Sequence, residues 1–210
     1  MRPNPVMFVS VLGYLVLCAF FFFGIDVAHK IALPVFWLAC CSMVARRWLP
    51  ALAFLLSSAG DLMGSFSLFL PQLGFFLLSH LAFIACFMKL IRKPVGGLLL
   101  TGVVLIGSAA FILAYIFILA HIPSGGVRAA ACCYALVILT MCACAVLTHK
   151  GLLAIGAILF VISDSTLAWN KFVSPLPYAG VKIMVTYYAA EIFLFTGLLP
   201  APRLRRPAIH

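Results

Sequence analysis

The chain has 210 residues, of which 66% are hydrophobic and 9% are charged, and its mean hydropathy is +1.26. This composition excludes an ordinary soluble domain and leaves no hydrophilic block long enough to fold separately, so we expect one transmembrane domain over residues 1–210. The net charge of +10 does not indicate a nucleic-acid-binding protein, because the 14 Lys and Arg residues are spread over helix ends and short loops.

Apolar segments that are long enough to cross a bilayer follow one another along the chain. A spanning helix needs about 20 residues, and fewer when it is buried in a bundle. The sequence therefore predicts an all-α, polytopic membrane bundle of eight helices, over residues 5–24, 31–45, 49–67, 72–91, 97–119, 128–147, 151–170 and 178–199. The first helix follows Arg2 like the apolar part of a signal peptide, but no small-residue cleavage site ends it, and we expect it to be retained.

Positive residues are distributed unequally between the two sides of this bundle. One side carries Arg2, Arg46, Arg47, Lys89, Arg92, Lys93, Lys150, Arg203, Arg205 and Arg206, and the other carries Lys30, Arg128, Lys171 and Lys182. The positive-inside rule then predicts that both termini are cytoplasmic. The small size and bare loops favour a bacterial inner membrane over an endoplasmic reticulum.

The third and fourth predicted helices are similar to the seventh and eighth. In each pair an aspartate precedes two aromatic residues and then a proline: Asp61, Phe66, Phe69 and Pro71, and Asp164, Trp169, Phe172 and Pro175. The repeated units would have the same orientation, because four helices separate them. This pattern predicts a parallel four-helix repeat.

Three of the four acidic residues lie inside predicted helices: Asp61, Asp164 and Glu191. A charge inside the bilayer is costly, so such residues face the bundle interior or a wet cavity and indicate function. At about 1.5 Å per residue, Asp61 lies roughly 18 Å and Asp164 roughly 20 Å from the same side of the membrane. His80, on a helix of opposite direction, reaches roughly the same level, 12–13 Å from the other side.

Two carboxyls and a histidine at one depth suit two kinds of function. In hydrolysis through an oxocarbenium-like cation, one carboxyl donates a proton while the other stabilises charge or activates water. The same groups also suit a proton relay in a transporter, and the spacing does not separate these alternatives. Ser79 and His80 are adjacent and so do not face each other on a helix, which argues against a serine hydrolase. We expect no metal and no other cofactor, because no ligand motif is present.

Other polar residues have weaker claims to a supporting role. Tyr187 and Tyr188 lie near the level of the aspartates, whereas Glu191 lies deeper in the eighth helix. Asn170 follows Asp164 by six residues, which is a poor match to a shared helical face.

Four motifs together resemble the lysoplasmalogenases of the YhhN-like integral membrane family. They are Leu56-Ser-Ser-Ala-Gly-Asp61-Leu, Gly74-Phe-Phe-Leu-Leu-Ser-His80-Leu, Phe160-Val-Ile-Ser-Asp164-Ser and Tyr187-Tyr-Ala-Ala-Glu191. The resemblance runs over about residues 25–200 and implies that Asp61, His80 and Asp164 are catalytic, with Ser163 beside Asp164. Two departures are that Leu33-Pro34 stands where the family often has Lys-Pro, with Lys30 the nearest lysine, and that Glu191 stands where an amide is frequent.

The resemblance implies hydrolysis of the vinyl ether bond of a lysoplasmalogen to a fatty aldehyde and glycerophosphocholine or glycerophosphoethanolamine. The substrate would enter from the bilayer, and either aspartate could be the general acid, with a slight preference for Asp164. The phosphate would meet Lys171 and Lys182 on the outer side, or Arg46 and Lys30 otherwise. The alternatives are a proton-coupled transporter or lipid-handling protein without bond cleavage, and a purely structural bundle.

Overall fold

Eight α-helices form nearly all of this computed structural model, which describes residues 5–91 and 95–199. They are α1 (Pro5–Phe22), α2 (Leu33–Val44), α3 (Trp48–Ser65), α4 (Phe69–Met88), α5 (Gly97–Phe117), α6 (Gly126–Leu147), α7 (Gly151–Phe172) and α8 (Ala179–Leu198), with a short 3₁₀ helix, η1 (Leu119–His121), after α5. No strand occurs in the described ranges. The predicted all-α fold of eight helices is confirmed.

Helix boundaries differ from the prediction by a few residues, for local reasons. The first helix ends at Phe22 rather than at residue 24, because Gly24 adopts a positive φ of 67° that a helix does not contain. The fourth helix begins at Phe69 rather than at residue 72. Pro71 lies in its first turn, where a missing N–H costs no intrahelical hydrogen bond.

Five helices are long and apolar enough to cross a membrane, judged by length and composition: α4, α5 together with η1, α6, α7 and α8. The protein is therefore a multi-pass membrane protein. At 12 residues, α2 is only about 18 Å long, against a hydrocarbon core of about 30 Å. Whether all eight helices cross the bilayer stays a prediction.

The helices pack most extensively as the antiparallel pairs α3–α4 and α7–α8, and α4 also packs against α6. Their shared core contains edge-to-face aromatic contacts, among them Phe54 with Phe83 and with Phe195. By contrast, α5 has no buried residue and packs mainly against α6 and η1. The bundle thus has a tightly packed centre and one peripheral helix.

The connections α1–α2, α3–α4 and α7–α8 lie at the same end of the bundle, which we call the Ser65 end. His29 Nδ1 lies 2.8 Å from Ser65 Oγ, and the rings of Phe69 and Phe172 are 5.5 Å apart. Lys30, Lys171 and Lys182 therefore lie at or near this end, whereas Arg46, between α2 and α3, lies at the opposite end. This placement matches the grouping by loop charge, which put Lys30 with Lys171 and Lys182 and opposite Arg46, and it differs only from the pairing of Lys30 with Arg46 as alternative phosphate ligands.

Several sequence-based expectations fall outside the described residues. Six of the ten cations that the prediction assigns to the cytoplasmic side do so: Arg2, Arg92, Lys93, Arg203, Arg205 and Arg206. The cytoplasmic location of both termini and the parallel repeat stay predictions.

Candidate active site

Three helices bring polar side chains together around Asp164. The Tyr134 hydroxyl, from α6, donates a hydrogen bond to Asp164 Oδ2, from α7. His80 Nε2, from α4, lies 2.9 Å from the Tyr134 oxygen and 3.9 Å from Asp164 Oδ2. The distance of 3.9 Å is too long for a hydrogen bond, so Tyr134 bridges the histidine and the carboxyl.

The direction of these bonds follows from the single proton of a tyrosine hydroxyl. Because that proton goes to Asp164, the Tyr134 oxygen accepts a hydrogen bond from His80 Nε2–H. His80 is fully buried, its Nδ1 has no hydrogen-bond partner in the described part of the chain, and its ring packs edge-on against Phe160 at 4.6 Å. The chain of donors runs from the histidine towards the carboxyl, so His80 orients the Tyr134 hydroxyl that donates to Asp164.

A second tyrosine–carboxyl pair lies at Asp61. The Tyr187 hydroxyl, from α8, donates to Asp61 Oδ2 at 2.8 Å, and Asp61 is 5% exposed. The Tyr187 ring is held edge-on by Phe160 at 5.3 Å and Phe76 at 5.8 Å. This aromatic packing fixes the hydroxyl against the carboxyl.

Glu191 lies one turn further along α8 and is fully buried. Ser57 and Tyr187 are its polar neighbours, yet neither carboxyl oxygen has a hydrogen-bond partner of ordinary geometry among residues 5–91 and 95–199. Glu191 therefore belongs to the Asp61 side of the site without forming a direct bond to it.

Two open chambers flank this constellation. The first, of about 750 Å³, is lined almost entirely by apolar side chains of α4, α6 and α7 and of the α5–η1 region, and we call it the apolar chamber. The second, of about 810 Å³, contains both Asp61 and Asp164 and reaches α8, and we call it the acidic chamber. Four residues line both chambers: Gln72 and Phe76 of α4, and Asp164 and Leu167 of α7.

Asp61, His80 and Asp164 are expected to converge on one cavity, but only the two aspartates line the same chamber. The two aspartates line one chamber, whereas His80 lines neither and reaches Asp164 through Tyr134. Ser163 lines the acidic chamber, with its hydroxyl donating to the Ile183 carbonyl at 3.1 Å.

The remaining predicted supporting residues form hydrogen bonds with backbone groups. The Tyr188 hydroxyl donates to the Ile31 carbonyl at 3.1 Å, and Asn170 Oδ1 accepts from the Leu176 N–H at 2.9 Å. Lys30 Nζ donates to the Ile25 carbonyl at 2.9 Å. None of these three side chains lines a described chamber.

Sequence reasoning missed Tyr134 and Gln72. Tyr134 follows Gly126, at the start of α6, by eight residues, which places it roughly 12 Å deep, as deep as Asp164 lies from Phe172. That common depth was a signal in the sequence. Gln72 had no such signal, because its place between two chambers depends on how far α4 and α7 stand apart.

No group of three or more His, Cys, Asp or Glu side chains in the described ranges is placed to hold a metal ion.

A model of the YhhN family matches residues 7–198. The chain belongs to the YhhN family. This confirms the family resemblance that the four motifs carry. No solved structure matches this YhhN-family protein.

Several relatives of this YhhN-family protein are named lysoplasmalogenases. It is 31% identical to lysoplasmalogenase TMEM86B of Mus musculus over 180 residues, which cover 83% of this chain and 74% of that protein. It is 31% identical to the lysoplasmalogenase of Mycobacterium tuberculosis over 161 residues, covering 72% and 60%. The match to TMEM86B of Sus scrofa is 42% identical but covers 28% of this chain and 26% of that protein.

Proposed function

We propose that this YhhN-family protein is a lysoplasmalogenase, an intramembrane hydrolase that cleaves the vinyl ether bond of lysoplasmalogens. The observation that carries the proposal is that Asp61 and Asp164 line one chamber, each with a hydrogen bond from a tyrosine hydroxyl. The names of the relatives support the same substrate class. The reaction consumes one water and gives a fatty aldehyde and a glycerophospho-alcohol.

Asp164 is the general acid of the first step. Its proton goes to the chain-side carbon of the double bond, whose π electrons form the new C–H bond and leave an oxocarbenium ion at the oxygen-side carbon. His80 and Tyr134 form a chain of donors that ends on Asp164, which suits stabilisation of the carboxylate that the first step leaves behind. Asp164 also borders the apolar chamber, where an aliphatic chain can lie.

Asp61 is the base of the second step. Water adds to the oxygen-side carbon and gives a proton to the Asp61 carboxylate, which forms a hemiacetal. Asp61 then returns this proton to the glycerol oxygen while the hemiacetal hydroxyl gives its proton to Asp164, and the C–O bond to glycerol breaks. Both carboxyls are thereby restored. The hydrogen bond from Tyr187 is of the kind that a carboxylate accepts.

The substrate reaches this site from the lipid bilayer, and its phosphate meets a cation at the Ser65 end. Lys171 and Lys182 are exposed there, and Lys171 Nζ lies 4.8 Å from the ring centre of Phe69, which lines the apolar chamber. We further propose that the protein lies in a bacterial inner membrane with both termini cytoplasmic, following the loop charges.

The decisive experiment compares three lysophospholipids with the same headgroup and chain length: vinyl ether, saturated alkyl ether and acyl ester. The protein, purified in detergent, should release aldehyde from the vinyl ether lipid alone, because only an enol ether can be protonated at carbon. The saturated ether is the matched control for binding without reaction. Absence of aldehyde from the vinyl ether lipid would overturn the proposed function.

A further inference from the structure

The two chambers share a boundary formed by residues of α4 and α7. Gln72 and Phe76 form one side of it and Asp164 and Leu167 the other, and all four residues line both chambers. We propose that the substrate threads this boundary, with its alkenyl chain in the apolar chamber and its glycerophospho headgroup in the acidic chamber. This inference rests on the proposed function and names the subsites of the same site.

The walls of the apolar chamber suit a single aliphatic chain. They are built from small and aliphatic side chains such as Ala135, Ala168 and Ile138, with aromatic rings from Phe69 and Phe172. A chain that leaves lipid for such a site meets surroundings of similar polarity, so shape rather than charge selects it.

One wall of the apolar chamber lies next to the peripheral helix. Ala114 and Ile118, at the end of α5, line it, and α5 has no buried residue. Because α5 packs mainly against α6 and η1, its other faces are available to lipid. The chamber therefore lies beside the part of the bundle through which a lipid tail can enter from the bilayer.

The acidic chamber suits the polar end of the substrate. Asp61, Ser163 and Tyr187 supply oxygen atoms that can accept or donate hydrogen bonds to glycerol hydroxyls and to water. Residues of its wall also come from the Ser65 end, including Gly64 and Gly180. The headgroup would thus lie at the end of the bundle that carries Lys30, Lys171 and Lys182.

Threading explains why the two aspartates differ in position. In a vinyl ether, the carbon that receives the proton is attached to the chain, and the carbon that water attacks is attached to oxygen. Asp164 lines both chambers and so lies beside the chain-side carbon, whereas Asp61 lines only the acidic chamber, where the oxygen-side carbon faces water. The order of the substrate atoms therefore matches the order of the two acids.

The test of the chamber assignment introduces a larger side chain into one chamber at a time. Ala135 lines only the apolar chamber, so Ala135→Phe should lower kcat/KM for long-chain relative to short-chain vinyl ether lipids by about tenfold or more, the size of effect that a methylene-sized change in an apolar pocket produces. The ratio between choline and ethanolamine headgroups should change by less than about twofold.

Gly180→Leu is the matched variant in the acidic chamber. An added Cβ at Gly180 meets nothing within 4 Å, so the larger side chain has space to project from the start of α8. It should disfavour the bulkier choline headgroup relative to ethanolamine by about tenfold and leave the chain-length ratio unchanged. The reverse pattern in the two variants, or equal effects on both ratios, would overturn the chamber assignment.

The outcome separates this inference from the proposed function. If the wild-type protein cleaves no vinyl ether lipid, both the proposed function and the chamber assignment are wrong. If it cleaves the lipid but the variants leave the chain-length and headgroup ratios unchanged, only the chamber assignment is wrong. Should Ala135→Phe not fold, judged by size-exclusion chromatography, a lysoplasmalogen with a diazirine at its chain end tests wild-type protein directly. Crosslinks should map to α5, α6 and η1, and crosslinks confined to α3 and α8 would contradict the inference.

Discussion

Asp61 and Asp164 occupy corresponding places in α3 and α7, yet their surroundings differ. Each accepts a hydrogen bond from a tyrosine of another helix, Tyr187 for Asp61 and Tyr134 for Asp164. Behind Tyr134 lies a histidine that can move a proton, whereas behind Tyr187 lies a buried carboxyl, Glu191. Asp61 is 5% exposed, and the Asp164 side chain is 21% exposed and lines both chambers.

The difference shows how one arrangement, a carboxyl that accepts a hydrogen bond from a tyrosine, can act in two different chemical steps. Asp164 borders the chamber that suits the alkenyl chain and is placed for proton donation to carbon, whereas Asp61 lines only the acidic chamber and is placed to accept a proton from water. The two acids need not differ in their own chemistry, because the neighbouring helices supply the distinction.

The largest effect is expected from Asp164→Asn. The amide keeps the shape of the side chain but cannot donate an acidic proton to carbon, so kcat should fall by about 10³–10⁴-fold. Aldehyde release from a vinyl ether lysolipid measures the loss. Asp26→Asn, in an exposed loop, makes the same chemical change outside the site and should keep wild-type activity. Full activity of Asp164→Asn would remove Asp164 from the reaction.

Asp61→Asn should cost less, about 10²–10³-fold in kcat, because water can add slowly to the oxocarbenium ion without a base. Slowing the addition of water should also make that addition, rather than proton transfer to carbon, the rate-limiting step. We therefore expect a large solvent deuterium isotope effect on kcat in wild-type protein, from proton transfer to carbon, and a smaller one in Asp61→Asn. An isotope effect that is unchanged or larger in the variant would reverse the assigned order of the two acids.

The sequence was sufficient to predict the helices and the acids, because both signals are local. Apolar length fixed eight helices to within a few residues, and the cost of a charge in the bilayer marked Asp61 and Asp164 as interior residues. The start of α4 was predicted three residues late, and Pro71 lies in its first turn, where prolines fit.

The features that the sequence could not predict depend on how the helices are positioned relative to one another. The bridge from His80 through Tyr134 joins α4, α6 and α7, and no periodicity within one helix predicts it. The same holds for the two chambers, whose shared boundary joins residues of α4 and α7 that lie far apart in the sequence. Asn170 and Lys30 were plausible by depth or charge, but their side chains bond to nearby backbone instead.

Substitutions of the two tyrosines should distinguish the Asp164 site from the Asp61 site, with smaller losses of kcat than substitution of the aspartates. A hydrogen bond to a charged group contributes about 1.5–3 kcal/mol, so Tyr134→Phe and Tyr187→Phe should each lower kcat by about 10- to 100-fold. Tyr115→Phe, on the exposed surface of α5, is the control for loss of a hydroxyl elsewhere. Combined with Asp164→Asn, Tyr134→Phe should add little, because Tyr134 acts through Asp164, and combined with Asp61→Asn, Tyr187→Phe should add little, because Tyr187 acts through Asp61. A further loss of about 10- to 100-fold in either double variant would contradict these pairings.

The smallest effect is expected at Glu191, although it is the most deeply buried acid. Its oxygens have no hydrogen-bond partner of ordinary geometry among the described residues, so an ionised carboxyl there would be costly, and removing its capacity for charge should not weaken the fold. Glu191→Gln keeps the volume of the side chain, and Glu191→Leu removes its polarity. Both variants should keep kcat within about twofold of wild type. Both should also keep Tm within about 4 °C, the shift that roughly 1 kcal/mol produces in a chain of this size. Thermal unfolding in detergent and aldehyde release measure the two quantities. If both variants instead lost as much activity as Tyr187→Phe, Glu191 would have to hold Tyr187 against Asp61, and the Asp61 site would then need two buried acids to work.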